Sequence, residues 1–257
     1  MSRRRQIIAI ILASACALQI QLCAEDAPAF TEIKTSFDSG DKKIEVERFE
    51  PKTAGKHPAV LLIHGADGFT LLRGAYYYGI ARELAKAGYV VVIPHYFDKT
   101  DTKFADPIKM FVNFMPWAAT VKESIAYTET LVNVDKEKLG LCGVSLGSFL
   151  SLSIACEDTR IKAVVENFGG QPGLWQNFKQ MPPTLILHGK KDFIVSVNEA
   201  YKIEKMFKEK GTTYEMKIYG NQGHGFLGAD GEDSTKRTIA WFDKYLKGAS
   251  TAEAKTK

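Results

Sequence analysis

The chain has 257 residues, 45% of them hydrophobic and 25% charged, which is the balance of an ordinary globular protein and not of a disordered or fibrous one. Its formal charge of +4 owes much to Arg3, Arg4 and Arg5, and without residues 1–24 it falls to +1. That near-neutrality leaves no electrostatic case for nucleic acid or an anionic membrane as a partner.

In chain order, the basic stretch Ser2-Arg3-Arg4-Arg5 precedes the apolar run Ile7–Leu18 and then small residues. This is the layout of a secretory signal peptide, too short for a membrane span. Cleavage is expected after Ala24, giving a secreted or periplasmic protein with a domain over 25–248 and a polar tail over 249–257. Cys16 and Cys23 stand in poor contexts for lipid attachment. Thr31–Phe37 and Lys43–Phe49 alternate with period two around Asp38-Ser39-Gly40-Asp41, a hairpin signal, and Lys52–Pro58 is a polar loop.

Apolar strands then alternate with amphipathic helices. Strands are predicted over Ala59–Ile63, Tyr89–Ile93, Lys138–Cys142, Ile161–Glu166, Leu185–Gly189 and Thr213–Tyr219. Helices are predicted over Ala75–Ala87 (ended by Gly88), Phe111–Val132 (interrupted early by Pro116), Ser148–Cys156, Asn198–Lys210 (ended by Gly211) and Ser234–Leu246. The alternation implies an α/β fold in one domain, with a mostly parallel sheet covered by helices on both faces. Two segments stand outside it, His95–Pro107 and Gly169–Pro183, each beyond a strand's carboxyl end. Ligands of open α/β sheets bind there, so Phe69, Tyr96, Phe97, Trp117, Trp175 and Phe226 are expected as apolar walls of a substrate pocket. Tyr76-Tyr77-Tyr78 fits a helix whose members alternate between core and surface better than a pocket lining. Cys142 and Cys156 are expected as two packed free thiols, with a disulfide as the alternative.

The most specific local signal is Gly143-Val144-Ser145-Leu146-Gly147, a G-x-S-x-G sequence between a predicted strand and a predicted helix. A serine on such a sharp turn adopts strained dihedrals, so its neighbours must be small. Asp192 follows the strand Leu185–Gly189, and His224 lies in the loop Gly220–Phe226 after the next one. The order Ser145, Asp192, His224 suits a nucleophile, an orienting acid and a general base. Asp67, Asp230 and Asp243 are alternatives for the acid, though Asp230 follows the histidine. His64-Gly65-Ala66-Asp67-Gly68 turns away from the end of Ala59–Ile63, and the backbone N–H groups of Ala66 and Leu146 are the expected oxyanion donors. His64, His95 and His188 all end strands, but no zinc motif accompanies them, so neither a metal nor any other cofactor is expected. Gly65-Ala66-Asp67-Gly68 lacks the spacing of a phosphate loop.

Val60–Gly68, Ala81–Pro94, the turn at Ser145, Gly189–Val195 and Gly223–Phe226 together make the chain resemble the dienelactone hydrolase family of α/β-hydrolases, from roughly Ile44 to Leu246. The resemblance implies the α/β-hydrolase fold and hydrolysis of a small-molecule ester or lactone. Two departures accompany it: the namesake enzymes carry a cysteine nucleophile where this chain has Ser145, and a glutamate where it has Gly65. The glutamate belongs to thiol activation, so losing both together is self-consistent. A peptidase, an acyl-sugar esterase, or a non-catalytic binding protein on the same fold are the other readings.

Overall fold

The computed structural model describes residues 29–69, 71–171, 178 and 181–248, with backbone alone at 71–73. The expected leader, the tail from 249 onward and Trp175 lie outside the described residues.

Eight strands form one sheet: β1 (Phe30–Ser39), β2 (Lys42–Pro51), β3 (His57–Ile63), β4 (Val90–Pro94), β5 (Val134–Val144), β6 (Ile161–Asn167), β7 (Thr184–Gly189) and β8 (Tyr214–Tyr219). Their spatial order is β1-β2-β4-β3-β5-β6-β7-β8. The expected hairpin is there: β1 and β2 pair antiparallel, β2 pairs antiparallel with β4, and every pairing from β4 to β8 is parallel. The helices are α1 (Leu71–Lys86), α2 (Pro107–Glu129), α3 (Leu146–Ala155), α4 (Asn198–Lys210) and α5 (Gly228–Leu246).

The strands in the middle of the sheet are buried on both faces, which is why their sequences are unbroken apolar runs. Alternation along them feeds two cores. Leu61, Ile63, Leu139 and Leu141 meet Trp117 and Val121 of α2, Leu150 of α3 and Ile203 of α4. Val60, Leu62, Cys142 and Val144 meet Tyr77 and Leu84 of α1 and Trp241 and Phe242 of α5. The chain moves from β3 outward to β4 and then crosses back over β3 to β5. The carboxyl ends of β3 and β5 therefore flank the point where the winding reverses, which is where open α/β sheets bind ligands.

Several boundaries differ from the expected ones. Helix α2 begins at Pro107 and not at Phe111, and it continues through Pro116 without a break. Asp106 caps it, its side chain accepting the Lys109 N–H at 2.9 Å, and Pro107 sits in the first turn, where its missing N–H costs nothing. Pro116 cannot donate to the Val112 carbonyl, but Val112 is exposed, so the missing bond is not buried away from solvent. Helix α3 starts directly at Leu146, and α5 starts at Gly228 instead of Ser234. The excursion after β4 folds into a short 3-10 turn, Tyr96–Thr100. Cys142 and Cys156 are free and belong to opposite faces of the sheet; burial pushes the Cys142 thiol up to about 12.

Candidate active site

Ser145 joins β5 to α3 with φ 55° and ψ −118°, a left-handed region that a residue with a Cβ rarely enters. Holding it there costs about 1–3 kcal/mol, which the surroundings must offset. The flanking glycines let those surroundings close in. A Cβ on Gly147 would lie 2.0 Å from the Ile63 carbonyl oxygen, and one on Gly143 would lie 2.4 Å from the Ser148 Cα. The Ser145 N–H donates to the Asn167 carbonyl at 2.9 Å. The Ser148 hydroxyl accepts the Asn167 N–H at 3.0 Å and donates to the Asn167 carbonyl at 3.1 Å, bracing the turn against β6. The result is a half-exposed hydroxyl at a helix N-terminus.

The loops after β7 and β8 meet at Gly189, where a Cβ would strike the Gly223 carbonyl oxygen at 2.2 Å. Two backbone bonds, Lys190 N–H to Tyr219 O and Lys191 N–H to Gln222 O, both 2.9 Å, lock them together. This brings His224 over Asp192. The buried Asp192 carboxylate accepts the Ile194 and Val195 N–H groups on Oδ1, each at 2.9 Å, and the His224 Nδ1–H on Oδ2 at 2.7 Å. Both oxygens are thereby aimed. His224 Nε2, left as the acceptor, receives the Ser145 hydroxyl at 2.8 Å. The tautomer follows from this network of bonds. The edge of the Phe168 ring supports the imidazole, with centroids 4.8 Å apart. Phe168 itself has φ 41°, a second strained residue at the carboxyl edge of the sheet. Asp67, Asp230 and Asp243 serve elsewhere: Asp67 accepts the Tyr77 hydroxyl, Asp230 the Gln222 amide and Asp243 the Tyr89 hydroxyl.

The loop after β3 is built around Tyr77 of α1. Its hydroxyl accepts the Gly65 N–H at 2.9 Å and donates to Asp67 Oδ1 at 3.0 Å. The Ala66 carbonyl accepts the Ala105 N–H at 2.8 Å, a second anchor for this loop. Among the described residues, neither the Ala66 nor the Leu146 amide donates to a protein acceptor. A Cβ on Gly65 would sit 3.3 Å from Ser145 Cβ, Asp67 Oδ1 and Tyr77 OH alike. The glycine is thus the residue that lets this loop lie against the serine, and a glutamate there would have to push one of the three aside. His64 is structural. It is buried, stacks on Tyr96 at 4.1 Å and donates from Nδ1 to the Gly65 carbonyl at 2.8 Å. Burial pulls its pKa down to about 3, so it is neutral. His188 is likewise buried, with its pKa lowered by burial, and bonds the Val195 carbonyl from Nε2 at 2.9 Å. Among the described residues no three His, Cys, Asp or Glu side chains converge as a metal ion would require.

The expected pocket walls divide. Phe69 and Phe97 line a cleft of about 360 Å³ with Gly68, His95 and Lys103, beside the loop after β3. Tyr96, Trp117 and Phe226 do not: they are buried in the core. Tyr96 donates to the His64 carbonyl at 2.9 Å, Trp117 donates to Thr100 Oγ1 at 2.8 Å, and Phe226 packs edge-on against Phe168. Tyr96 and Phe226 lie beyond strand ends and Trp117 on the helix that follows the first of those excursions, but all three rings turn inward and serve as filling. Three residues near the site carry no motif. They are Tyr77, Phe168, and Glu166, whose buried carboxyl accepts the Gly169 N–H below the serine turn.

The profile of the dienelactone hydrolase family matches residues 44–250 of this chain. A carboxymethylenebutenolidase from Rhodococcus opacus is 24% identical over 221 residues, spanning 75% of this chain and 83% of its own. A carboxymethylenebutenolidase homolog from Xenopus tropicalis is 18% identical over 234 residues, 83% of this chain and 94% of its own. Among solved structures, the dienelactone hydrolase-like promiscuous phosphotriesterase P91 from metagenomic libraries superposes with a TM-score of 0.73 at 17% identity, covering 85% of this chain and 99% of that one. The sequence match over most of the chain and the shared α/β architecture place it in the dienelactone hydrolase family of hydrolases.

Proposed function

We propose that this protein is an exported serine hydrolase that cleaves small carboxylic esters or lactones through an acyl-enzyme intermediate. One observation carries the reading: the unbroken hydrogen-bonded chain from the Ser145 hydroxyl through His224 to the Asp192 carboxylate. Export is supported by the basic and apolar layout of residues 1–24.

In this mechanism Ser145 Oγ attacks the substrate carbonyl carbon while His224 Nε2 takes its proton, and the carbonyl oxygen becomes an oxyanion held by the Ala66 and Leu146 N–H groups. Asp192 stabilises the imidazolium and remains a carboxylate throughout. His224 then protonates the departing alkoxide, leaving the acyl group on Ser145; for a lactone the alkoxide stays tethered to the acyl group. A water molecule gives its proton to His224, attacks the acyl carbonyl and releases the acid, and the proton returns to Ser145 Oγ. The Cys142 thiol does not substitute for the serine, since it is fully buried and pushed up to about 12.

A fluorophosphonate probe tests the proposal. It should label the purified protein with a stoichiometry of one, and peptide mapping should find the adduct on Ser145; no adduct, or one on another residue, would overturn the assignment. Tyr77→Phe probes the support of the oxyanion loop. It removes the bonds to Gly65 and Asp67, each worth about 1 kcal/mol. The expected result is a kcat about tenfold lower with KM nearly unchanged, read by steady-state hydrolysis of a p-nitrophenyl ester.

A further inference from the structure

Helix α2 is apolar on more sides than it buries. Its inner face, with Trp117, Ala118, Val121 and Ile125, fills the core, and Met110 and Phe114 pack partly against it. On the outer face Ile108, Phe111, Val112 and Met115 are 76%, 88%, 64% and 64% exposed, and Phe104 just ahead of the helix is 57% exposed. The spacing of the four helical residues places them on one stripe. With about 150–250 Å² on an aromatic side chain and somewhat less on an aliphatic one, the five exposed fractions amount to roughly 600 Å² of apolar surface. That is the upper end of what a monomer leaves in water.

We propose that this stripe is a twofold interface between two copies of the chain, α2 of one packed against α2 of the other. Area supports it: a stable interface buries about 800 Å² per partner, and roughly 600 Å² of apolar centre plus a polar rim reaches that size. Charge supports it too. Lys109 and Asp106 beside the stripe pair with each other at 3.6 Å and Lys122 beyond its end pairs with Glu157 at 2.8 Å, so these groups bring no uncompensated charge into the contact, and Lys103 ahead of Phe104 falls on its rim. A lipid surface suits the helix less, because α2 carries Lys109 and Lys122 against Glu123 and Glu129 and lacks the basic polar face that interfacial helices present. A twofold axis also needs only one self-complementary patch. The stripe starts next to Ala105, whose N–H holds the Ala66 carbonyl, so a second copy seated on Phe104 would bear on the oxyanion loop.

Sedimentation velocity of the protein purified after export, in detergent-free buffer from nanomolar to tens of micromolar, tests the proposal. The expected mass at micromolar concentration is twice that of one chain. Phe111→Glu and Ile108→Glu should each raise the dissociation constant about thirtyfold or more, with an unchanged circular dichroism spectrum and melting temperature, since both side chains project into solvent. A monomer at every concentration, or association that neither variant weakens, would overturn it. So would a monomer that floats with phosphatidylcholine–phosphatidylglycerol vesicles and loses that binding in Phe111→Glu, which would give the stripe to a lipid surface.

Discussion

Ser145→Ala is expected to lower kcat for a short-chain p-nitrophenyl ester by at least about 10⁴-fold while leaving the fold intact. Alanine keeps the Cβ, so the turn at φ 55° is neither relieved nor strained further, and the backbone bond to Asn167 survives. The one interaction lost is the 2.8 Å bond to His224. Residual turnover would come from the oxyanion donors and substrate binding alone. Asp192→Asn should come close in size, a loss of about 10⁴-fold, for a different reason. Its amide oxygen can still accept the Ile194 and Val195 N–H groups, but its NH₂ then faces His224 Nδ1 and forces the ring proton onto Nε2, where it confronts the serine hydroxyl. Burst and steady-state kinetics with circular dichroism as the folding control would check both. If Ser145→Ala retained more than about 1% of the activity, the acyl-enzyme route would be lost, because other routes on this fold do not need that hydroxyl.

The residues in that experiment were legible before any coordinates because each is announced by local chemistry. Glycines flank Ser145 where backbones touch, and Asp192 and His224 follow apolar strands in the order the fold requires. The strand and helix alternation was legible for the same reason, since a sheet buried on both faces needs continuous apolar runs. The start of helix α2 is marked locally by Asp106-Pro107, a cap followed by a first-turn proline, while its apolar periodicity only becomes regular from Phe111. Pro116, a single half-buried proline, removes one hydrogen bond and leaves the helix running.

What was not legible depends on contacts between distant elements. Tyr77 lies in a run of three tyrosines, and nothing local says which member turns inward to hold Gly65 and Asp67. Tyr96 follows a strand's carboxyl end, where a pocket wall is expected, yet its ring stacks on His64 at the end of β3, and Trp117 packs behind it. Helical periodicity cannot distinguish an aromatic that fills space from one that faces a ligand. The free state of Cys142 and Cys156 follows from their packing into cores on opposite faces of the sheet.

Glu166→Gln should stabilise the protein in a way that grows with pH. Burial pushes the Glu166 carboxyl from its ordinary 4.5 up to about 8; the nearby Asp192 charge adds to this, and the Gly169 N–H opposes it. The folded protein therefore holds a proton that the unfolded chain has released between those two values. Within that window stability falls by about 1.4 kcal/mol for each pH unit; the contribution is whole below the unfolded value and spent above the folded one. Glutamine has the same shape, keeps an oxygen for the Gly169 N–H and cannot ionise. The second carboxyl oxygen has no partner in the described structure, and the glutamine NH₂ would occupy the same unpartnered place, so that cost largely cancels in the comparison. Melting temperatures of the two proteins should be close near pH 4.5 and diverge above it, with the variant about 2 kcal/mol or more ahead at pH 8, a shift of roughly 5 °C for a domain of this size. Parallel curves across that range would mean that Glu166 does not titrate there, and that the folded protein already carries a second buried negative charge near Asp192.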